Sequence, residues 1–324
     1  MSNIEVIGLG ALNIDHIYQV ERILDDGEAV VEVAGSFSGG SAANTVYGLA
    51  KLGVRTGFVG AVGDDDEGRL MLEEFKKVGV NTSQIRIKQG AKTGSTLCLS
   101  ARSGRRSLYV VPGANNLLTK DDLALAYINQ ANLLHISSFA DDRQFQVLLE
   151  LIDKLAPSIK VSFSPGSLYS AKRLRALAPI LAKTDILFIN QNEMQQLTGG
   201  DFIAGAETCL RQGCQIVVVT LGKGKRLTSS KRPSSICYIR DASNECLIEA
   251  DSRTKFSTVD TTGAGDAFAT GFLYGLLKRK GLEECGQLGD IVAQFCIGKV
   301  GARQGLPTLT ELTEYYRELH KERL

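Results

Sequence analysis

The chain has 324 residues, 44% of them hydrophobic and 23% charged, enough to bury a core of good size in one large α/β unit or two medium ones. With 37 basic and 36 acidic residues the formal net charge is +1, which leaves no electrostatic footprint for nucleic acid. The seven cysteines are odd in number and contain no CxxC pair, which argues against a disulfide framework or a zinc site and for free thiols in a reducing compartment.

The first residues, Met1-Ser2-Asn3-Ile4-Glu5, run directly into a strand-like segment, with no basic stretch followed by an apolar one. No apolar run approaches the roughly 20 residues that cross a bilayer. A cytoplasmic protein without membrane contact is expected. Short continuous apolar runs then follow at Ile4–Gly8, Gly57–Val62, Asn132–Ser137, Ile159–Ser164, Asp185–Asn190 and Gln215–Thr220. Strands buried on both faces have this unbroken character, as in a parallel sheet. Between them Ser41–Leu52, Glu67–Val78, Asp141–Leu155 and Ala171–Ala182 carry apolar residues at helical spacing. The alternation predicts a doubly wound, mostly parallel sheet flanked by helices.

Three segments break the rhythm. Ile14–Phe37 includes the partly alternating run Ala29–Phe37 after an acidic turn, and Thr93–Val111 has the pattern of a hairpin turning at Ser103-Gly104. Both predict antiparallel strands set apart from the main sheet. Lys225–Val259 predicts further strands with long turns. With no repeat, no low-complexity stretch and no linker, the expectation is a single domain over 1–324 whose small strand-built lid comes from about 14–37 and 93–111.

The string Asp260-Thr261-Thr262-Gly263-Ala264-Gly265-Asp266, followed by a helical stretch, carries the strongest chemical signal. Glycines at 263 and 265 let backbone N–H groups converge where a helix begins, and those donors with the positive end of the helix dipole make an anion hole. Asp266, directly after them, suits a base beside a phosphate in transfer. As a bare GxGD it would be an ordinary helix entry; the full string points to function. No GxxxxGK[ST] occurs, which excludes a P-loop kinase, and Gly8-Leu9-Gly10 lacks the third glycine of a dinucleotide site because Asn13 stands there.

The DTTGAGD string resembles the C-terminal signature of the ribokinase-like, or PfkB, carbohydrate kinase family. Three further motifs follow the family's order: Gly39-Gly40-Ser41-Ala42-Ala43-Asn44, Gly60–Gly68, and Asn190-Gln191-Asn192-Glu193. The resemblance implies a ribokinase-like fold and an ATP-dependent kinase acting on a sugar hydroxyl. It implies Asp266 as general base over an anion hole of Gly263, Ala264 and Gly265, and acceptor binding by Asp15, Gly40 and Asn44. A carboxylate accepts two hydroxyls at once, which suits the vicinal diol of a sugar. It implies support of ATP and Mg²⁺ by Asn190 and Glu193, largely through water, and nucleotide contacts at Thr220 and Gly222. A monovalent cation such as K⁺ is implied near Asp260 and Thr262, with the loop Gly301–Gly305 contributing. A homodimer paired through lid strands is the implied assembly.

Departures from the pattern are specific. Lys225 stands where the nucleotide loop's last glycine belongs, with Gly224 before it; Lys223 or Lys225 would then neutralise phosphate. Ser164 occupies a position where many relatives carry Asp, and Gln294 one where many carry Asn. Arg105 and Arg106 are expected on a solvated hairpin tip, with contact to an anionic substrate as the other reading. His16, His135 and His320 lack metal-ligand spacing. A nucleoside kinase acting on adenosine, inosine or cytidine, a non-catalytic sugar or nucleotide sensor, and an oxidoreductase are the competing readings.

Overall fold

The computed structural model describes residues 4–101, 106–225, 235–250 and 256–320; the side chains of 223–225 and 320 are outside that description. Ser103-Gly104, Arg105, and the side chains of Lys223, Lys225 and His320 therefore lie outside the described residues. Thirteen strands are present among them: β1 (Val6–Leu9), β2 (Asn13–Val20), β3 (Glu32–Gly39), β4 (Thr56–Gly63), β5 (Asn81–Lys88), β6 (Gly94–Ala101), β7 (Arg106–Val111), β8 (Leu133–Ser137), β9 (Lys160–Ser164), β10 (Ile186–Asn190), β11 (Ile216–Lys225), β12 (Ser235–Arg240) and β13 (Glu245–Glu249). The helices are α1 (Ser41–Lys51), α2 (Asp66–Lys77), α3 (Leu125–Ile128), α4 (Asp142–Lys154), α5 (Gly166–Ser170), α6 (Arg173–Leu181), α7 (Gln191–Thr198), α8 (Phe202–Arg211), α9 (Ala264–Leu277), α10 (Leu282–Ile297) and α11 (Leu309–His320).

The large sheet runs β13-β12-β11-β10-β9-β8-β1-β4-β5. It is parallel from β11 to β5 and antiparallel only at β11-β12-β13. Alternate strand residues feed opposite faces, as the pleat requires. Ile7, Leu9, Leu134, Ile136, Leu187 and Ile189 pack with α4, α6, α7 and α8. Val6, Leu133, Ile186 and Phe188 pack with α9, α10 and α11 on the other side. Helices thus cover both faces, and fully burying each large aliphatic or aromatic side chain contributes about 1.5–3 kcal/mol.

The second sheet has the order β3-β2-β6-β7. Each of the two segments set apart from the large sheet forms an antiparallel pair, β2-β3 and β6-β7, and the pairs join through β2 and β6, which run parallel from Asn13 beside Gly94 to Val20 beside Ala101. The sheet is mixed because β2 and β6 follow β1 and β5, parallel strands of the large sheet, and so leave it from the same C-terminal end. Asn115 holds that exit: its amide accepts from Leu12 N at 2.9 Å and donates to Leu12 O and Asn13 Oδ1. Asp65, the N-cap of α2, accepts from Gly68 N, Thr93 N and Thr93 Oγ1, tying the Gly60–Gly68 motif to the root of β6.

Candidate active site

The site forms where the parallel strands end, the place at which open α/β sheets collect ligands. Gly10, just after β1, approaches Ser137 at the end of β8; a Cβ on Gly10 would lie 2.3 Å from Ser137 Oγ. That same hydroxyl accepts from Ala42 N at 3.0 Å and seats the start of α1. Gly40 is the N-cap of α1 with φ of 98°, and a Cβ there would meet Ala11 O at 2.1 Å. Only glycine satisfies both the left-handed backbone and the close approach.

The helices α1 and α9 meet at their N-terminal ends, and their junction holds Asp266. Ser41 Oγ donates to Asp266 Oδ1 at 2.7 Å and Asn44 Nδ2 donates to Oδ2 at 2.9 Å. Thr45 and Thr270 hydroxyls donate to the Asp266 carbonyl. Burial pushes the Asp266 carboxyl above the ordinary Asp range; the bonds from Asn44 and Ser41, then the charges of Arg106 and Arg303, act against that rise. The residue is partly exposed.

Gly263 caps α9 with φ of 75° and presses on Ala302, which a Cβ would meet at 2.5 Å. Gly265 faces open space, with no atom within 4 Å of a Cβ position. Ala264 N donates to Thr261 O and Ala267 N to Gly263 O. Between them the amides of Gly265 and Asp266 have no backbone acceptor outside the helix among the described residues, and orphan donors at a helix start favour an anion. Asp260 closes the loop: Oδ1 accepts from Thr262 N and Oγ1, and Oδ2 accepts from Gly301 N at 2.9 Å.

Asp15 lies on β2 opposite Phe37 and Thr96. Gly39 gives it room, since a Cβ there would stand 2.2 Å from Asp15 Oδ2. Burial raises its pKa to about 6, against a hydrogen bond from Thr96 and the charge of Arg303; Asp266 and Asp260 add to the rise. Residues opposite one another across a ladder point to one side, so Val110, Leu108 and Arg106 of β7 share the Asp15 face through Thr96, Cys98 and Ser100. Leu108 is 52% exposed and Arg106 is exposed as well. Arg106 thus sits within strand β7, its charge felt at Asp266 and Glu193. His16 points to the opposite face, bonded to Ser36 and 3.6 Å from Glu67.

Asn190, the last residue of β10, pairs with Thr220 in the middle of β11, which runs on to Lys225 beyond the expected end of that strand at Thr220. Asn190 Oδ1 accepts from Asn192 N and Glu193 N, and Glu193 Oε2 accepts from Asn190 N at 3.1 Å, a capping box for α7. Burial pushes the Glu193 carboxyl up, the Asn190 bonds oppose it, and the Asp266 charge adds to the rise. Gly222 has φ of 72° and opens to solvent. The register between β11 and β12 breaks between Thr220 and Lys225, where the loop departs from the expected glycine pattern. No group of three or more His, Cys, Asp or Glu able to hold a metal is found among the described residues.

The sequence did not point to Arg303. Its side chain is 3% exposed. Nε donates to Asn44 Oδ1 at 2.9 Å, Nη2 to Gly39 O at 3.0 Å, and Nη1 lies 3.4 Å from Glu74 Oε2. The guanidinium stacks on Tyr47 and Phe75, each ring centroid 5.1 Å away. Ser41, inside the GGSAAN motif, was also missed as a partner of Asp266.

The model of the pfkB family carbohydrate kinases matches residues 1–309. A protein described as an uncharacterized sugar kinase of Archaeoglobus fulgidus is 37% identical over 260 residues, 80% of this chain and 98% of that one. A solved ribokinase of Thermotoga maritima superposes with a TM-score of 0.79 at 24% identity, over 97% of this chain and 99% of its own. A nucleoside kinase of Burkholderia thailandensis solved with inosine superposes at 0.81 and 19% identity, over 98% of this chain and 100% of its own. These two likenesses extend the agreement in fold.

Proposed function

The chain belongs to the pfkB family of carbohydrate kinases, and from that premise we propose that it moves the γ-phosphoryl of ATP to a hydroxyl of a small sugar or sugar-like acceptor, with Asp266 as general base. The observation that carries this reading is the Asp266 carboxylate at the start of α9, held on both oxygens by α1 and adjoining free helix amides.

Asp15, ionised, accepts hydroxyls of the acceptor, and Gly40 lets the ring approach backbone. Asn44 stands beside them. Asp266 takes the acceptor proton as the new O–P bond forms and the bond from phosphorus to the bridging oxygen breaks, releasing ADP. Because such transition states are loose, a carboxylate of modest basicity suffices. The amides of Gly265 and Asp266 donate to the transferring group, and Gly263 and Ala264 set the turn that aims them. Arg106 adds positive charge from the Asp15 face of the second sheet, which acts as a lid that excludes water.

Thr220 and Gly222 border the nucleotide. Asn190 Oδ1 is committed to capping, so Asn190 and Glu193 fit a metal through water, with Glu193 Oε1 the remaining acceptor. Mg²⁺, when bound, neutralises charge on the outer phosphates. Asp260 and Thr262 offer hard oxygens that fit a K⁺ ion, while their own hydrogen bonds already hold the loop.

A nucleoside acceptor is the second reading, favoured by exposed Leu108 and Val110 on the Asp15 face, an apolar surface able to carry a base. Purified protein with ATP against sugars, sugar acids, sugar phosphates and nucleosides separates the two. Turnover on a sugar supports the first reading, preference for a nucleoside the second, and no ADP formation with any hydroxyl acceptor overturns both.

A further inference from the structure

We infer that Arg303 is a positioning residue for phosphoryl transfer, acting through Asn44 to fix the orientation of the Asp266 carboxylate. This rests on the reading of Asp266 as base.

An asparagine side chain presents an acceptor at one end and donors at the other, and in an ordinary pocket it can turn over. Arginine has donors alone. With Arg303 Nε at 2.9 Å, the oxygen of Asn44 must face the arginine, so the Asn44 amide hydrogens must face Asp266 Oδ2. Reversed, the Asn44 oxygen would confront a carboxylate. The arginine is itself immobilised: Gly39 O takes one donor, Glu74 pairs with another, and two aromatic rings bracket the plane. Gly39 O immediately precedes Gly40, so one guanidinium fixes both the glycine turn at the acceptor site and the amide that steers the base. Lysine reproduces the charge without the planar fork.

The test is a double-mutant cycle between Arg303→Lys and Asn44→Ala, with folding followed by thermal melting and kcat and KM measured for both substrates. Arg303→Lys is expected to lower kcat about tenfold or more while KM for ATP stays near wild type. In the Asn44→Ala background the same change is expected to alter kcat by less than about twofold. Multiplicative losses, or an unchanged kcat in Arg303→Lys, overturn the inference. If Arg303→Lys fails to fold, Glu74→Gln, which frees Nη1 alone, carries the same cycle; there a kcat loss confined to the Asn44 background is expected, and wild-type kcat overturns the inference. Asp266→Asn run in parallel separates the two ideas: if it keeps turnover, the base reading fails, whereas if it abolishes turnover and the cycle is additive, only the role of Arg303 fails.

Discussion

Burial raises the Asp15 carboxyl and the Asp266 charge adds to that rise, while the proposed chemistry needs both carboxylates ionised. For Asp15 the folded pKa of about 6 exceeds the ordinary 3.8. Its contribution to stability is therefore fully present below about 3.8 and lost as pH rises through about 6. At pH 7.5 the free protein holds a charge that burial disfavours, so Asp15→Asn is expected to raise the melting temperature there, to keep only part of that advantage at pH 5 and to lose it below about 3.8. Activity has the opposite dependence. The kcat/KM of the wild type should fall as pH drops through about 6, and Asp15→Asn should raise the acceptor KM at least tenfold through loss of a charged acceptor of hydroxyls. A melting temperature unchanged across pH 5–7.5 in both proteins would contradict the assignment. Removing Arg106 charge by Arg106→Ala is expected to lower kcat with little change in melting temperature.

At the scale of elements, two glycines two residues apart have different duties. Gly263 combines positive φ with contact to Ala302, so Gly263→Ala is expected to destabilise the fold by about 1–3 kcal/mol of strain and overlap. Gly265 faces open space, so Gly265→Ala should melt normally yet impair transfer by placing a methyl where phosphate oxygens approach. Melting curves beside kcat for the two variants check this split. The glycine turns and the strand-end position of Asn190 were legible because short strings encode short turns, whereas β11 runs past Thr220 to Lys225. The strand β5 was not, since Asn-Thr-Ser-Gln-Ile-Arg-Ile-Lys is polar and half exposed at the sheet edge. The parallel pairing of β2 with β6 was not either: partners 81 residues apart leave no local mark. Arg303 stands 259 positions from Asn44, inside a glycine-rich loop, and nothing nearby in the chain announces that it folds back onto α1.

For the whole molecule, the second sheet presents one face to the site and another outward. Leu97 and Tyr109 are paired across β6-β7 and, with Val111, leave an exposed apolar strip on the face away from Asp15. A homodimer paired through this sheet is the assembly we propose, since an exposed apolar edge seeks a partner. Sedimentation should then find a dimer that Tyr109→Glu weakens; a wild-type monomer at micromolar concentration would refute it. Among the described residues no helix is long and apolar enough to cross a membrane.

The central claim concerns one carboxylate between two helix ends, and the most direct measurement is turnover of Asp266→Asn beside its binding of ATP and acceptor by calorimetry. The account predicts wild-type melting and affinities with kcat reduced about 10²–10⁴-fold. A variant that binds both substrates and still turns over at the wild-type rate would contradict it.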